Sequence, residues 1–182
     1  HVDPDPRAVQ AGTSATITFG LEHGCDDSPT TGLAFKLPAG VTNVKAVDKA
    51  GWTAAVTATE VTFAGGSQDA HTPTSFAISL TAPAAAGTIS FPVVQTCAKG
   101  SISWIEVTEE GKAEPEHPAP VVKVTTGAPT AADLASPDEG DDASHSSDHT
   151  GRNIAFVVVG AVIVLGGAGG FVYSKKSGAS GA

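Results

Sequence analysis

The chain has 182 residues, of which 19 are Asp or Glu and 10 are Lys or Arg, so its formal net charge is −9. Nucleic-acid binding requires clustered positive charge, and this acidic balance argues against it. The residues up to about position 126 suffice for one domain with its own core. The chain contains two cysteines and no methionine, which limits the metal chemistry open to it.

The chain starts at His1 without an initiator methionine, so we expect a signal peptide to have been removed, with His1 as the mature amino terminus. A free N-terminal histidine offers both its α-amine and its imidazole Nδ1 to one metal ion. The α-amine sheds its proton more readily than a lysine, so a metal can displace that proton near neutral pH. His1 is therefore a candidate metal ligand, and the alternative is an incidental terminal residue.

Short strands are predicted along the first 124 residues by alternating apolar positions and turn signals. The clearest period of two, typical of half-buried strands, occurs at residues 17–21, 76–80 and 89–93. Further strands are predicted at residues 33–37, 41–47, 52–57, 60–63, 102–107 and 121–124, with turns at 38–40, 49–51 and 65–66. No helical pattern competes with them. The chain is therefore predicted to be all-β, and so many short strands favour a β-sandwich.

The C-terminal part has two distinct compositions. Residues 127–152 are rich in Ala, Ser, Asp, Pro and Gly and are predicted to form a disordered acidic linker, in which His145 and His149 are solvated. Residues 153–174 include an uncharged apolar tract long enough, at ~1.5 Å per residue, to cross a hydrocarbon core of ~30 Å. The two lysines at 175–176 begin a short tail, residues 175–182, which the positive-inside rule places in the cytoplasm. We expect a single-pass cell-membrane protein with residues 1–126 extracellular.

Cys25 and Cys97 fall in the part that we expect outside the cell, where a lone pair of cysteines usually forms a disulfide. Cys25 follows one predicted strand and Cys97 ends another. A bond between them would tie two sheets or their edges. Closing a loop of about 70 residues stabilises a fold by about 4 kcal/mol in the chain-entropy model.

Oxidised cysteines and the lack of methionine leave only nitrogen and oxygen ligands, which suit Cu(II). No nucleophile elbow, phosphate-binding glycine loop or HExxH motif is present, so the chain is not predicted to be an enzyme. An oxidative polysaccharide enzyme with an N-terminal histidine brace would use His71 as its second histidine. The low aromatic content, 5%, argues against the flat sugar-binding face that such an enzyme needs.

Three segments carry a resemblance to a known family: HVDPDPRAVQAGTSATITFGLEHGCDDSPTTGLAFKLPAGV at the start, KAGW at 49–52, and ISFPVVQTCAKGSISW at 89–104. Together they resemble the YcnI-like family (the domain of unknown function 1775) over about residues 1–124. The resemblance implies an exported cupredoxin-like or immunoglobulin-like β-sandwich, often membrane-anchored. It also implies Cu(II) binding by the N-terminal histidine, a carboxylate and a nearby tryptophan, with a proposed role in copper trafficking.

Matched position by position, His1 corresponds to the family's first ligand and Trp104 to the tryptophan close to copper. Without the resemblance, Trp104 would be interpreted as a packing residue. The family's carboxylate lies a few residues before the phenylalanine that corresponds to Phe76. Here Thr72 or Ser75 stands at that position, so the expected carboxylate is missing.

His71 or Asp69 is therefore the expected third ligand, with His71 preferred because imidazole is the better Cu(II) ligand. Glu22 and His23 are interpreted as turn residues, and His117 as an exposed loop residue.

The sequence thus predicts a membrane-anchored extracellular Cu(II)-binding protein that acts as a metallochaperone or a copper buffer. Its expected partners are the copper ion, the membrane through the C-terminal helix, and another envelope copper protein. The alternative is a cell-envelope protein-interaction domain without a metal function. Such a domain would dock its partner on a large exposed apolar patch.

Overall fold

The computed structural model describes residues 1–108 and 111–135 of the chain. These residues form twelve strands and one short helix, α1 (Ala131–Leu134). The strands are β1 (Val2–Asp5), β2 (Ala8–Gln10), β3 (Ser14–Leu21), β4 (Thr30–Lys36), β5 (Thr42–Ala46), β6 (Thr53–Val56), β7 (Glu60–Gln68), β8 (Thr74–Thr81), β9 (Gly87–Ser90), β10 (Val93–Cys97), β11 (Ser101–Trp104) and β12 (Val121–Thr125). Within the described ranges, no helix is long and apolar enough to cross a lipid bilayer.

Two predicted segments lie outside the described residues: the transmembrane helix at 153–174 and the tail at 175–182. The predicted linker is described only as far as position 135. That part contains α1, whose first turn is capped by the Thr130 side chain, and Asp133 in turn receives a hydrogen bond from the Thr130 backbone.

The described strands form three sheets. The first sheet has the order β1-β3-β8-β5, the second β11-β10-β4-β7-β6, and the third β2-β12-β9. In β3 and β8, buried and less buried positions alternate, as expected for strands with one face on a core.

Phenylalanine side chains join the first and second sheets across the core. The Phe19 and Phe35 rings lie 4.8 Å apart, and the Phe63 and Phe76 rings lie 5.1 Å apart, measured between ring centroids. Phe91, next to β9 of the third sheet, also contacts Phe19, with centroids 5.2 Å apart. One hydrophobic core therefore unites all three sheets, and the predicted β-sandwich is confirmed.

One predicted strand, residues 89–93, is in fact two. Its first half belongs to β9, which pairs with β12, and its second half begins β10, which pairs with β4 and β11. The break falls at Pro92, which has no N–H to give to a sheet. The chain changes sheets at this proline.

The predicted turn at residues 65–66 lies instead inside β7, which continues to Gln68. Gly65 has a φ of 78°, a conformation that glycine adopts without strain. The pairing of β4 with β7 shifts register between Thr30 and Gly32 at the same level of the sheet. Gly65 therefore allows a β-bulge at this point, and β7 continues beyond it.

The first ten residues form two strands that the alternation pattern does not reveal. β1 pairs with β3 at the edge of the first sheet, with Val2 opposite Leu21. β2 pairs with β12 in parallel, and the backbone N–H of Ala11 donates to the carbonyl of Thr125. The amino terminus therefore lies at the Leu21 end of β3, and β12 ends at the opposite end.

The predicted disulfide between Cys25 and Cys97 is confirmed, with Cα atoms 6.0 Å apart. It joins the loop that follows β3, in the first sheet, to β10, in the second sheet.

Candidate functional site

Three histidine rings surround the indole of Trp104, the last residue of β11, which is only 2% exposed. The ring centroids of His1, His23 and His117 lie 6.0, 5.9 and 5.1 Å from that of Trp104. We call these four residues the imidazole cluster. His1 and His23 are exposed and His117 is half-buried, so the rings lie between a buried indole and solvent.

The β1–β3 pairing brings His1 to the cluster. Because Val2 lies opposite Leu21, His1 lies beside the segment that follows β3, and this segment carries His23. The backbone N–H of Gly24 then donates to the carbonyl of Ala70 at 2.8 Å, which holds the His23 loop against the loop before β8.

The long connection between β11 and β12 supplies His117. Glu106 binds the backbone of His117 twice: its carboxylate accepts the His117 N–H at 2.6 Å, and its own N–H donates to the His117 carbonyl at 3.1 Å. The N–H of Ala119 donates to the Glu106 carbonyl at 2.8 Å. These bonds hold the His117 backbone beside the end of β11.

In two histidines of the cluster, the ring nitrogen that forms a hydrogen bond is Nδ1. Nδ1 of His23 lies 2.8 Å from the Gly24 carbonyl oxygen, and Nδ1 of His117 lies 2.8 Å from that of Glu116. A carbonyl oxygen only accepts, so each Nδ1 must be the donor. In the neutral ring, Nε2 then carries the free lone pair, which is the arrangement found in metal-binding histidines.

A buried polar network lies beneath the cluster. The indole N–H of Trp104 donates to Oε1 of Gln95 at 2.9 Å. Nε2 of Gln95 donates to the His23 carbonyl at 2.9 Å and to Oγ1 of Thr30 at 2.8 Å. Gln95 and Thr30 are both 0% exposed.

The structure places His71 and Asp69 in the loop before β8, where they contact each other and the His23 loop rather than His1. Nε2 of His71 lies 3.3 Å from a carboxylate oxygen of Asp27. The carboxylate of Asp69 accepts the His71 backbone N–H and the Thr72 hydroxyl, and these hydrogen bonds hold the pKa of Asp69 below its ordinary value. The structure therefore brings the His1 ring to Trp104, but shows no contact of His71 or Asp69 with either residue.

Within residues 1–108 and 111–135, no three His, Cys, Asp or Glu side chains are grouped closely enough to hold a metal ion. A chelate at the amino terminus needs fewer side chains, because His1 offers two nitrogens by itself. One further imidazole would give three nitrogen donors, a set that suits Cu(II). His23, which follows the strand that pairs with β1, is an imidazole whose ring contacts the same indole as the His1 ring.

Sequence patterns did not identify His23, His117 and Gln95 as parts of this site. His23 and His117 were interpreted as turn and loop residues, and both are in fact in loops. Gln95 had one detectable signal in the sequence: it is a polar residue in phase with the alternating apolar positions 89, 91 and 93. A buried amide needs hydrogen-bonding partners, and that requirement pointed to a nearby polar group.

A family model for the domain of unknown function 1775 matches residues 1–74 and 57–124. Together the two matches cover more than half of the chain, so the chain belongs to this family. The match includes every residue of the imidazole cluster.

A solved structure supports the fold. The chain is similar to an uncharacterized protein from Nocardia farcinica, described as having an immunoglobulin-like fold, with 29% identity and a TM-score of 0.61. The similarity covers 69% of this chain and 99% of that one. The sandwich is therefore of the immunoglobulin-like type.

A type I cohesin from Pseudobacteroides cellulosolvens matches at 13% identity and a TM-score of 0.40, over 70% of this chain and 93% of that one, too low to support an argument. Among curated proteins, no significant match is found.

Proposed function

We propose that the chain is an extracellular, membrane-anchored Cu(II)-binding protein that carries or buffers copper and is not an enzyme. His1, as the mature amino terminus, binds the ion through its α-amine and Nδ1. The observation that carries the proposal is the contact of the His1 ring with the buried indole of Trp104. This contact supports the role that family resemblance gives to both residues.

His23 is the further imidazole that we propose for the ion. Its ring contacts the same indole as His1, and its Nδ1 is engaged by a carbonyl, which leaves Nε2 available. His71 is a weaker candidate because its Nε2 faces Asp27, whereas the His23 ring contacts the Trp104 indole that His1 also contacts. His23 thus replaces His71 as our preferred second histidine.

The remaining parts of the proposal come from the sequence. The C-terminal tract at 153–174 anchors the chain in the cell membrane, and the acidic linker connects it to the domain. The copper recipient or donor is another envelope copper protein. Membrane anchoring is tested by fractionating cells that express the full chain and extracting the membranes with carbonate.

The copper site is tested by placing one N-acetylated glycine before His1 in the full chain, because a free glycine amine would itself chelate Cu(II) together with the His1 imidazole. The extension converts the α-amine into an amide and removes the preformed chelate. We expect tight Cu(II) binding, measured by competition with a chelator of known affinity, to fall by orders of magnitude. Electron paramagnetic resonance of the unextended protein should show type 2 copper with several nitrogen ligands.

Two controls accompany this experiment. Mass spectrometry of the purified protein establishes that His1 is its first residue, and circular dichroism compares the folds of the two proteins. If the extended protein binds Cu(II) with unchanged affinity and spectrum, the N-terminal chelate is wrong.

One observation favours the second candidate function, a protein-interaction domain. Val94, Ile105 and Val107 are 41%, 52% and 79% exposed, and the first two line an open cleft of about 500 Å³ on the second sheet. Exposed apolar side chains around a cleft are typical of docking surfaces. This function becomes the leading one if the glycine extension leaves copper binding unchanged.

A further inference from the structure

The side-chain amide of Gln95 forms three hydrogen bonds within the site. It accepts one hydrogen bond, from the Trp104 indole N–H, and donates two, to the His23 carbonyl and the Thr30 hydroxyl. Gln95 lies on β10 of the second sheet, whereas His23 follows β3 of the first sheet. One buried amide therefore connects the tryptophan to the histidine loop across two sheets.

The chemistry of these partners fixes the orientation of the amide. The indole N–H can only donate and the His23 carbonyl can only accept, so the Gln95 oxygen must face Trp104 and its nitrogen must face His23. A carboxylate offers no donor for the carbonyl, and an apolar side chain offers neither group. Trp104 is buried and its indole N–H donates to the Gln95 oxygen, so replacing the amide leaves this donor unsatisfied.

We propose that Gln95 is a positioning residue for Cu(II) binding: its amide holds the His23 loop against Trp104 so that the imidazole is presented beside His1. The inference rests on the proposed copper function. Gln95 itself does not contact the metal. It acts through the backbone of His23, as groups that orient metal ligands do.

The test compares Gln95→Met with Thr30→Val in the full chain. Gln95→Met keeps the length of the side chain but removes all three hydrogen bonds. Thr30→Val keeps the shape of a neighbouring buried side chain and removes the Gln95–Thr30 bond and the 3.9 Å contact of the hydroxyl with Cys97 Sγ, so the link from Trp104 to His23 remains. Both variants disturb the same buried network, and only the first breaks the proposed connection.

The readouts report on the site as well as on stability. We expect Gln95→Met to lower Cu(II) affinity roughly 10- to 100-fold, the usual effect of removing a group that orients a metal ligand. Its paramagnetic resonance spectrum should lose the hyperfine pattern of the unmodified protein, whereas Thr30→Val should retain both affinity and spectrum. Both variants are also made in a Trp52→Phe background, where the tryptophan emission comes from Trp104. Cu(II) should quench this emission in Thr30→Val as strongly as in the parent, and less strongly in Gln95→Met.

Gln95→Leu provides a second test if Gln95→Met does not fold. Its branched apolar side chain occupies the same buried position and offers neither the acceptor for Trp104 nor the donor for the His23 carbonyl. The same loss of affinity is expected. Equal Cu(II) affinity and identical spectra in the folded Gln95 variant and in Thr30→Val would overturn the positioning role.

The glycine-extended protein is measured in parallel to separate this inference from the proposed function. If the extension leaves Cu(II) binding intact, the copper function itself fails, and the positioning role fails with it. If the extension abolishes binding while the folded Gln95 variant binds like Thr30→Val, only the positioning role fails.

Discussion

At the scale of single residues, the absence of a side chain at Gly24 determines how closely two loops approach. A Cβ built at this position would overlap the carbonyl oxygen of Ser28 and would lie 2.9 Å from Cα of Ala70. Both are backbone atoms, which cannot move aside without shifting their segments. The His23 loop therefore depends on glycine at this position.

We predict that Gly24→Ala lowers the free energy of unfolding by about 1–3 kcal/mol, the usual range for an overpacked buried site. Urea denaturation of the variant and the parent measures the difference. Gly127→Ala is the matched control, because a Cβ at that position meets no atom within 4 Å. Equal stability of the Gly24→Ala variant and the parent would show that the two loops separate freely.

The choice between His23 and His71 can be tested by single substitutions. We predict that His23→Asn weakens Cu(II) binding by at least about tenfold, because it removes an imidazole that contacts the same indole as His1, whereas His71→Asn has a smaller effect. A tenfold change corresponds to about 1.4 kcal/mol. Isothermal titration of the two variants in the same buffer measures both affinities. A larger loss in His71→Asn would restore the assignment made from the sequence.

The contact between His1 and Trp104 was predictable from the family's motif, because both residues keep their positions in it. His23 and His117 were not, because their loops owe their placement to hydrogen bonds of Gly24 and Glu106 with distant backbone. The alternation of apolar residues indicates strands but does not predict such long-range loop contacts.

At the scale of elements, the predictable strands are those with one face on the core. β3 and β8 show clear alternation in the sequence and the same alternation of burial in the structure. β1 was missed because it contains Pro4 and is short, and it forms the edge of its sheet. Edge strands tolerate proline, so a pattern that treats proline as a strand breaker overlooks them.

The disulfide is the element-scale feature with the largest predicted effect on stability. Replacing Cys25 and Cys97 together by alanine should lower the free energy of unfolding by about 4 kcal/mol in the chain-entropy model, since the cysteines are 72 residues apart. Denaturant unfolding of both proteins measures the change. Alkylation of the unreduced parent should label neither cysteine, and two labelled thiols in the folded protein would contradict the bond.

At the scale of the whole molecule, the copper site and the C-terminal part of the chain are expected to act independently. The imidazole cluster is built from residues 1–117, and α1 is tied to the domain by the 2.6 Å ion pair of Lys123 with Asp133. We predict that a chain ending at Ala135 binds Cu(II) with the affinity and stoichiometry of the full chain. Competition titrations compare the two. Loss of the tight site on truncation would instead implicate His145 and His149.

The parallel pairing of β2 with β12 has a practical consequence for handling the protein. His1 lies at one end of β3, and β12 ends near the other end of β3. The eight residues of β3 span roughly 25 Å between these two ends. A label, resin or sensor surface attached beyond β12 is therefore remote from the imidazole cluster and leaves it open to solvent. An affinity tag on the amino terminus would instead acylate the very amine proposed to bind copper, so purification should rely on C-terminal tags.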